Sequence, residues 1–137
     1  MNLKPLTTDL SVTPQIEPSE IAELAARGFK SIIGNRPEEE TSDQPTWSSL
    51  AAQAEQHGLA ALHIPVTVGQ IGAEDIERFA QALRDLPKPI AAFCRTGTRA
   101  AMLWALANPQ GQTADERIRI AADQGFDLES LRVRLER

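Results

Sequence analysis

Twice in succession the chain runs a capped helical segment into a glycine and continues directly into a short apolar stretch. Glu17 to Gly28 has Pro18 in its first turn, acids early, and Ile21, Leu24 and Ala25 on one face; Phe29 to Ile33 follows as a strand. Thr46 to Gly58 repeats the pattern ahead of a strand over Leu59 to Ile64. Helix-to-strand units in series predict parallel pairing, because parallel neighbours need a crossover connection. A further helix over Ala73 to Leu86, with Ile76, Phe79, Ala80 and Leu83 on one side, is broken by Pro87-Lys88-Pro89 before a strand at Ile90 to Phe93. The expected architecture is α/β and three-layered: a mainly parallel central sheet of four to five strands, helices on both faces, and one domain over residues 1–137. Leu10 to Ile16, interrupted by Pro14, suits a short edge strand or an extended entry better than a central strand. Thr113 to Glu116 opens a helix running to Gln124, and Asp127 caps a last one striped by Leu128, Leu131 and Leu135.

Sheets of this kind place ligands beyond the carboxyl ends of their strands. The chain's only cysteine, Cys94, lies there, between the Ile90 to Phe93 strand and a helix over Arg99 to Ala107. In Cys94-Arg95-Thr96-Gly97-Thr98-Arg99, Gly97 lets successive N–H groups turn inward as an anion nest, and the following helix points its positive end at the same space. A thiol there, flanked by Arg95 and Arg99, is expected to have its pKa lowered into the range of roughly 3.5 to 7.5 typical of activated cysteines. One cysteine has no resolving partner, so a dithiol cycle is not expected.

The 137 residues are 42% hydrophobic and 24% charged, with no apolar run long enough to span a bilayer, and the amino terminus lacks a secretory pattern; a cytoplasmic location without membrane association follows as an expectation. A net charge of −5 argues against nucleic acid as a partner, while the local charge at Cys94 favours a small anionic substrate. One cysteine and two distant histidines give no common metal-ligand spacing, so neither metal nor cofactor is expected.

Each singled-out residue also has a bland reading. A lone cysteine is commonly a small buried hydrophobe. Arg99 could tie its loop to the sheet, Arg95 could point to solvent, and Arg36 suits a structural clamp on nearby carbonyls or acids. His57 is explained by its place before a helix-ending glycine, and His63 by its place on one face of a strand. Glu38, Glu39 and Glu40 read as a solvated acidic loop that could repel large polyanions.

The Cys-x4-Arg spacing of Cys94 to Arg99 resembles the active loop of single-domain rhodaneses, in which cysteine carries sulfur as a persulfide. Gly28 to Glu40, with its Asn35-Arg36 turn, is similar to a strand and turn of dual-specificity protein tyrosine phosphatases, and His63-Ile64-Pro65-Val66 to their next strand. Together these resemble the phosphatase-like domain of beta-lactamase-hydrolase-like proteins, whose bacterial members are described as candidate sulfur transferases. Two departures separate the chain from the phosphatases. Their loop is Cys-x5-Arg, and a loop one residue shorter offers a narrower ring, better suited to one terminal sulfur than to three phosphoryl oxygens. The resemblance also implies an aspartate general acid after the His63 strand, where the chain reads Val66-Thr67-Val68-Gly69-Gln70; the first acids are Glu74 and Asp75, at a helix start.

The resulting expectation is a cysteine-dependent sulfur transferase on a tyrosine phosphatase-like fold. Cys94 and Arg99 are its catalytic pair, Arg95, Thr96, Gly97 and Thr98 bind substrate, Arg36 supports the site, and the partners are a persulfide donor and a thiol acceptor. The alternatives are a phosphatase working through phosphocysteine, with Asp75 or Glu74 as acid, and a non-enzymatic anion-binding module. The sequence leaves the oligomeric state open.

Overall fold

The computed structural model describes residues 1–137 and contains five strands: β1 (Lys4–Pro5), β2 (Leu10–Thr13), β3 (Ser31–Gly34), β4 (Ala60–His63) and β5 (Ile90–Phe93). Its helices are α1 (Ile21–Ala26), α2 (Trp47–Gln56), α3 (Ala73–Asp85), α4 (Thr98–Ala107), α5 (Ala114–Asp123) and the short α6 (Arg132–Leu135). The strands form one sheet in the order β1-β2-β5-β3-β4, parallel throughout except for β1, so the expected mainly parallel sheet is present.

β5 is the central strand, and its side chains alternate between the two faces as the strand period requires. Ile90 and Ala92 pack into a core with Phe79 and Leu83 of α3, Leu103 and Trp104 of α4, and Ile118 of α5. Ala91 and Phe93 pack the opposite way, with Ile21 and Leu24 of α1 and Leu50 and Ala54 of α2. The small residues of β5 let both helical layers approach the sheet closely. Thr46 caps α2 by accepting the Ser49 N–H at 3.2 Å, and Thr113 caps α5 by accepting that of Glu116 at 3.1 Å, as the sequence predicts.

Three local expectations change. The Leu10 to Ile16 segment is not the edge: β2 pairs with β1 on one side and β5 on the other, and all four of its residues are buried. Pro14 lies just past the last paired residue, so its missing N–H removes nothing from the ladder. The first helix divides into a 3₁₀ turn at Pro18–Glu20 and α1, with the Glu20 carboxylate accepting the Glu17 N–H at 2.8 Å. The strand expected at Phe29 to Ile33 is displaced to Ser31–Gly34.

Register brings the strand ends together. Phe93 lies opposite Thr13 and Gly34, and Gly34 opposite His63, so Cys94 and Asn35 leave the sheet side by side. Gly34 is required there by close packing: a Cβ would stand 2.6 Å from the Trp47 ring and 3.1 Å from Phe93. Trp47 in turn stacks on His63, with ring centroids 4.9 Å apart.

Candidate active site

Cys94 directly follows the central strand and Thr98 begins α4, leaving a tight turn whose pivot is Gly97 at φ 93°. A side chain at Gly97 would face both the left-handed backbone penalty and contacts of 3.1 Å to Phe126 and 3.3 Å to the backbone of Thr13. The Gly97 N–H donates to Cys94 Sγ at 3.0 Å. The N–H groups of Arg95, Thr96, Arg99 and Ala100 donate to no acceptor in the protein, and that of Thr98 reaches only Thr96 Oγ1, at 3.4 Å. Cys94 is 0% exposed. Burial alone would fit the bland reading of a lone cysteine; what departs from it is that the sulfur accepts the Gly97 N–H directly before a helix whose first-turn N–H groups are free. The carbonyl of Arg95 accepts the Gln15 N–H at 3.3 Å, which ties the turn to the chain leaving β2.

Arg99 is 5% exposed and its five N–H groups can be followed individually. Nη1 donates to Glu40 Oε2 at 2.5 Å and to the carbonyl of Val66 at 3.0 Å, while Nη2 donates to Glu40 Oε1 at 2.8 Å. The carboxylate thus takes the outer fork of the guanidinium. The Nε–H and one Nη2–H remain, adjacent on one edge, as a second fork with no oxygen acceptor in the protein, and the Cys94 sulfur acts on the same guanidinium. Val66 is itself fixed, because its N–H donates to the carbonyl of Asn35 at 3.1 Å and Asn35 Nδ2 donates to the carbonyl of Ile64 at 2.9 Å.

Glu40 also accepts from Arg36 Nε at 3.0 Å, so one carboxylate joins two buried guanidinium groups. The Arg99 hydrogen bond, reinforced by Arg36, holds the Glu40 carboxyl below its ordinary range against the opposing effect of burial. Glu40 in turn pushes Arg99 further up, with the Cys94 sulfur acting in the same direction. The remaining Arg36 nitrogens donate to Gln15 Oε1 and Thr41 Oγ1, which is the structural clamp expected of Arg36.

A cavity of about 470 Å³ is lined by Glu40, Val68, Arg95, Thr96, Thr98, Arg99 and Met102; the buried Cys94 is not part of its wall. Arg95 is exposed and forms no ion pair, while Thr96 donates to the Thr98 hydroxyl at 3.0 Å. The structure therefore gathers Cys94, Arg95, Thr96, Gly97, Thr98 and Arg99, with Arg36 one residue removed through Glu40. It does not bring Glu74 or Asp75 to the cavity: Asp75 accepts the Gly72 N–H at 3.0 Å and closes the first turn of α3. His63 makes a 2.9 Å contact from Nε2 to the carbonyl of Arg36, and the His57 backbone caps α2. No three His, Cys, Asp or Glu side chains are grouped to hold a metal ion.

Glu40 lies in the expected exposed acidic loop, but its pairing with Arg36 and Arg99 carries no clear signal in the sequence. Glu38, Glu39 and Glu40 are all exposed residues, but Glu39 adopts φ 60°, a turn that brings the Glu40 carboxylate back against Arg99. Only the four-residue interval from Arg36 hinted at the pairing.

The family described as beta-lactamase hydrolase-like protein, phosphatase-like domain, matches residues 2–113. A beta-lactamase hydrolase-like protein of Xylella fastidiosa is 32% identical over 130 residues, which is 93% of this chain and 30% of the relative. One of Agrobacterium fabrum is 34% identical over 125 residues, 87% of this chain and 28% of the relative. The chain thus spans under a third of the length of these curated relatives. Among solved structures, a candidate phosphatase of Neisseria meningitidis superposes with a TM-score of 0.88 at 36% identity, over 98% of this chain and 96% of that one. PTPMT1 shares the fold at a TM-score of 0.76 and 14% identity, over 98% of this chain and 91% of that one.

Proposed function

The chain belongs to the phosphatase-like domain family of beta-lactamase hydrolase-like proteins, and we propose that it transfers sulfane sulfur through a persulfide on Cys94. Its fold is that of the tyrosine phosphatases, so the choice between sulfur and phosphoryl transfer rests on the site. One observation favours sulfur. The only carboxylate on the cavity wall, Glu40, is held ionised between two guanidinium groups, so it has no proton to give. Cleaving a phosphate monoester expels an alkoxide or phenoxide that needs one; sulfur transfer expels an anion that is already stable.

Cys94 acts as a thiolate and attacks the outer sulfur of thiosulfate, forming the Cys94 S–S bond. The S–S bond of thiosulfate breaks and sulfite leaves with its electron pair. The Gly97 N–H and the free N–H groups of Arg95, Thr96, Arg99 and Ala100 hold the persulfide anion, and the free Nε and Nη2 edge of Arg99 receives the oxyanion. Cyanide, or an acceptor thiolate, then takes the outer sulfur and returns Cys94 as thiolate. No proton is transferred to a leaving group in either step.

A phosphatase reading has separate support in the likeness to the Neisseria candidate phosphatase, and in an Arg99 edge that also matches two phosphoryl oxygens. Parallel assays of thiosulfate-to-cyanide transfer and aryl phosphate hydrolysis, each with wild type and Cys94→Ser, separate the two. Sulfur transfer predicts thiocyanate formation that falls at least about a thousandfold in Cys94→Ser. Cysteine-dependent phosphate release without thiocyanate would replace that reading with the phosphatase one.

A further inference from the structure

We propose that the amino ends of β2 and β5 form a second binding site, for a small carboxylate carrying an apolar body. It lies at the opposite end of the sheet from Cys94 and does not depend on which group Cys94 transfers. A cavity of about 300 Å³ opens there, at the lower end of the size range of small-molecule pockets. Leu10 and Ile90, the first residues of their strands, share its wall with Leu83 of α3 and Trp104 of α4, and all four are buried. Asp9, Arg84 and Lys88 line it as well and are exposed. An apolar floor under charged side chains suits a ligand with one polar end.

Two buried side-chain polar atoms have no hydrogen-bond partner, Asn35 Oδ1 and Trp104 Nε1. Asn35 directly follows β3, at the Cys94 end of the sheet; Trp104 belongs to this cavity. A buried indole N–H ordinarily finds an acceptor, and being a donor only it can take nothing else. A carboxylate oxygen in the adjoining cavity supplies one. Trp104 is 0% exposed, so that oxygen reaches Nε1 as other wall side chains give way, the exposed Gln110 among them.

The remaining donors agree on the sign of the ligand. Arg84 uses Nη2 alone, on Glu77 Oε1 at 3.2 Å and Gln81 Oε1 at 2.7 Å, so the hydrogens of Nε and Nη1 have no protein acceptor. Lys88 Nζ donates to the carbonyls of Arg84 and Leu86, each at 3.1 Å, which leaves one of its hydrogens free. Asp9 is the only carboxylate on the wall and forms no ion pair. Two cations against one carboxylate favour an anionic ligand of single charge.

Phenylacetate, phenylacetamide and phenethylamine present one ring with a negative, a neutral and a positive end. Each is titrated into isotope-labelled protein and read at the indole N–H resonance of Trp104. That resonance is assigned by Trp104→Phe or, should this variant not fold, by removing the other indole in Trp47→Phe. The expected result is a saturable shift with phenylacetate, affinity at least about fivefold weaker for phenylacetamide, and no saturation with phenethylamine. The preference for phenylacetate over the amide should fall about threefold in Arg84→Gln and in Lys88→Gln, both at exposed positions, and rise in Asp9→Asn. Excess thiosulfate should leave the shift in place.

A Trp104 resonance that stays still at about 10 mM phenylacetate would overturn the site. Equal affinity for the amide, or tighter binding of the amine, would overturn the carboxylate as its ligand. Displacement by thiosulfate, or a preference untouched by both Arg84→Gln and Lys88→Gln, would place the binding elsewhere and overturn the proposal.

Discussion

Two arginines are buried to nearly the same degree, Arg99 at 5% and Arg117 at 4% exposure, and they are held in opposite ways. Arg117, on α5, donates Nε to the carbonyl of Thr113 at 3.2 Å, Nη1 to that of Ala105 at 2.5 Å and Nη2 to that of Leu135 at 2.8 Å. Ala105 lies in the last turn of α4 and Leu135 ends α6, so the cation meets the negative ends of two helices and binds three helices together. No carboxylate touches it, and burial pushes its pKa down. Arg99 has a carboxylate partner that pushes its pKa up, a cavity beside it and an edge left over. Burial therefore does not separate a structural arginine from one that serves a site. The separation lies in the counter-charge and in the donors that remain free.

Exchanging the two losses gives the largest expected contrast. Arg99→Ala should lower thiocyanate formation about a hundredfold, the scale of losing one preorganised donor to a developing anion, with a smaller loss of stability than in Arg117→Ala, because one carbonyl, that of Val66, loses its donor and Glu40 keeps Arg36. Arg117→Ala should do the reverse. Each carbonyl left without a donor costs roughly 1–3 kcal/mol, so denaturant melts should show a loss of several kcal/mol with near-normal turnover in the protein that remains folded. Equal effects of the two changes on both assays would remove the distinction.

A smaller contrast lies in the turn itself. Gly97→Ala places a Cβ against Phe126 and Thr13 at a strained φ and should cost about 1–3 kcal/mol, together with much of the transfer rate. Gly28→Ala meets nothing within 4 Å, although φ is 92° there, and should lower stability by the backbone penalty of about 1–2 kcal/mol without changing turnover. Stability and activity measured on the two variants separate strain at the site from strain alone.

The smallest effect is read from pH. The carboxyl of Glu40 has a folded pKa below its ordinary 4.5, so the unfolded chain binds more protons across that interval. The stability contributed by the pair is fully present above about pH 4.5 and is lost as pH falls through the folded pKa. In acid titrations of unfolding free energy, Glu40→Gln should flatten the fall below that point. Arg117 stays charged throughout the accessible range, so Arg117→Ala should shift the whole curve without changing its slope there.

What could be read from the sequence was local. The β5 strand, the Gly97 pivot and the caps at Thr46 and Thr113 each depend on a few consecutive residues and stand where expected, and α4 starts one residue earlier than expected, at Thr98. The Cys94-to-Arg99 grouping was legible for the same reason, as it spans six consecutive residues. The supports of that turn were not. Glu40 meets Arg99 across 59 residues, and Val66 meets it across 33, through sheet register that no short pattern specifies. The inner position of β2 was hidden in the same way, because the cover of β1 is supplied by only two residues, Lys4–Pro5. Arg117 gave no signal at all, since its acceptors are backbone carbonyls of three separate segments.

That Cys94 carries sulfur is tested most directly by the intact mass of the protein after exposure to thiosulfate and removal of excess reagent. One added sulfur atom, mapped to Cys94, discharged by cyanide and absent in Cys94→Ser, is the predicted result. An unchanged mass under conditions in which iodoacetamide alkylates Cys94 would contradict it, since the thiol would then be reachable and yet take no sulfur.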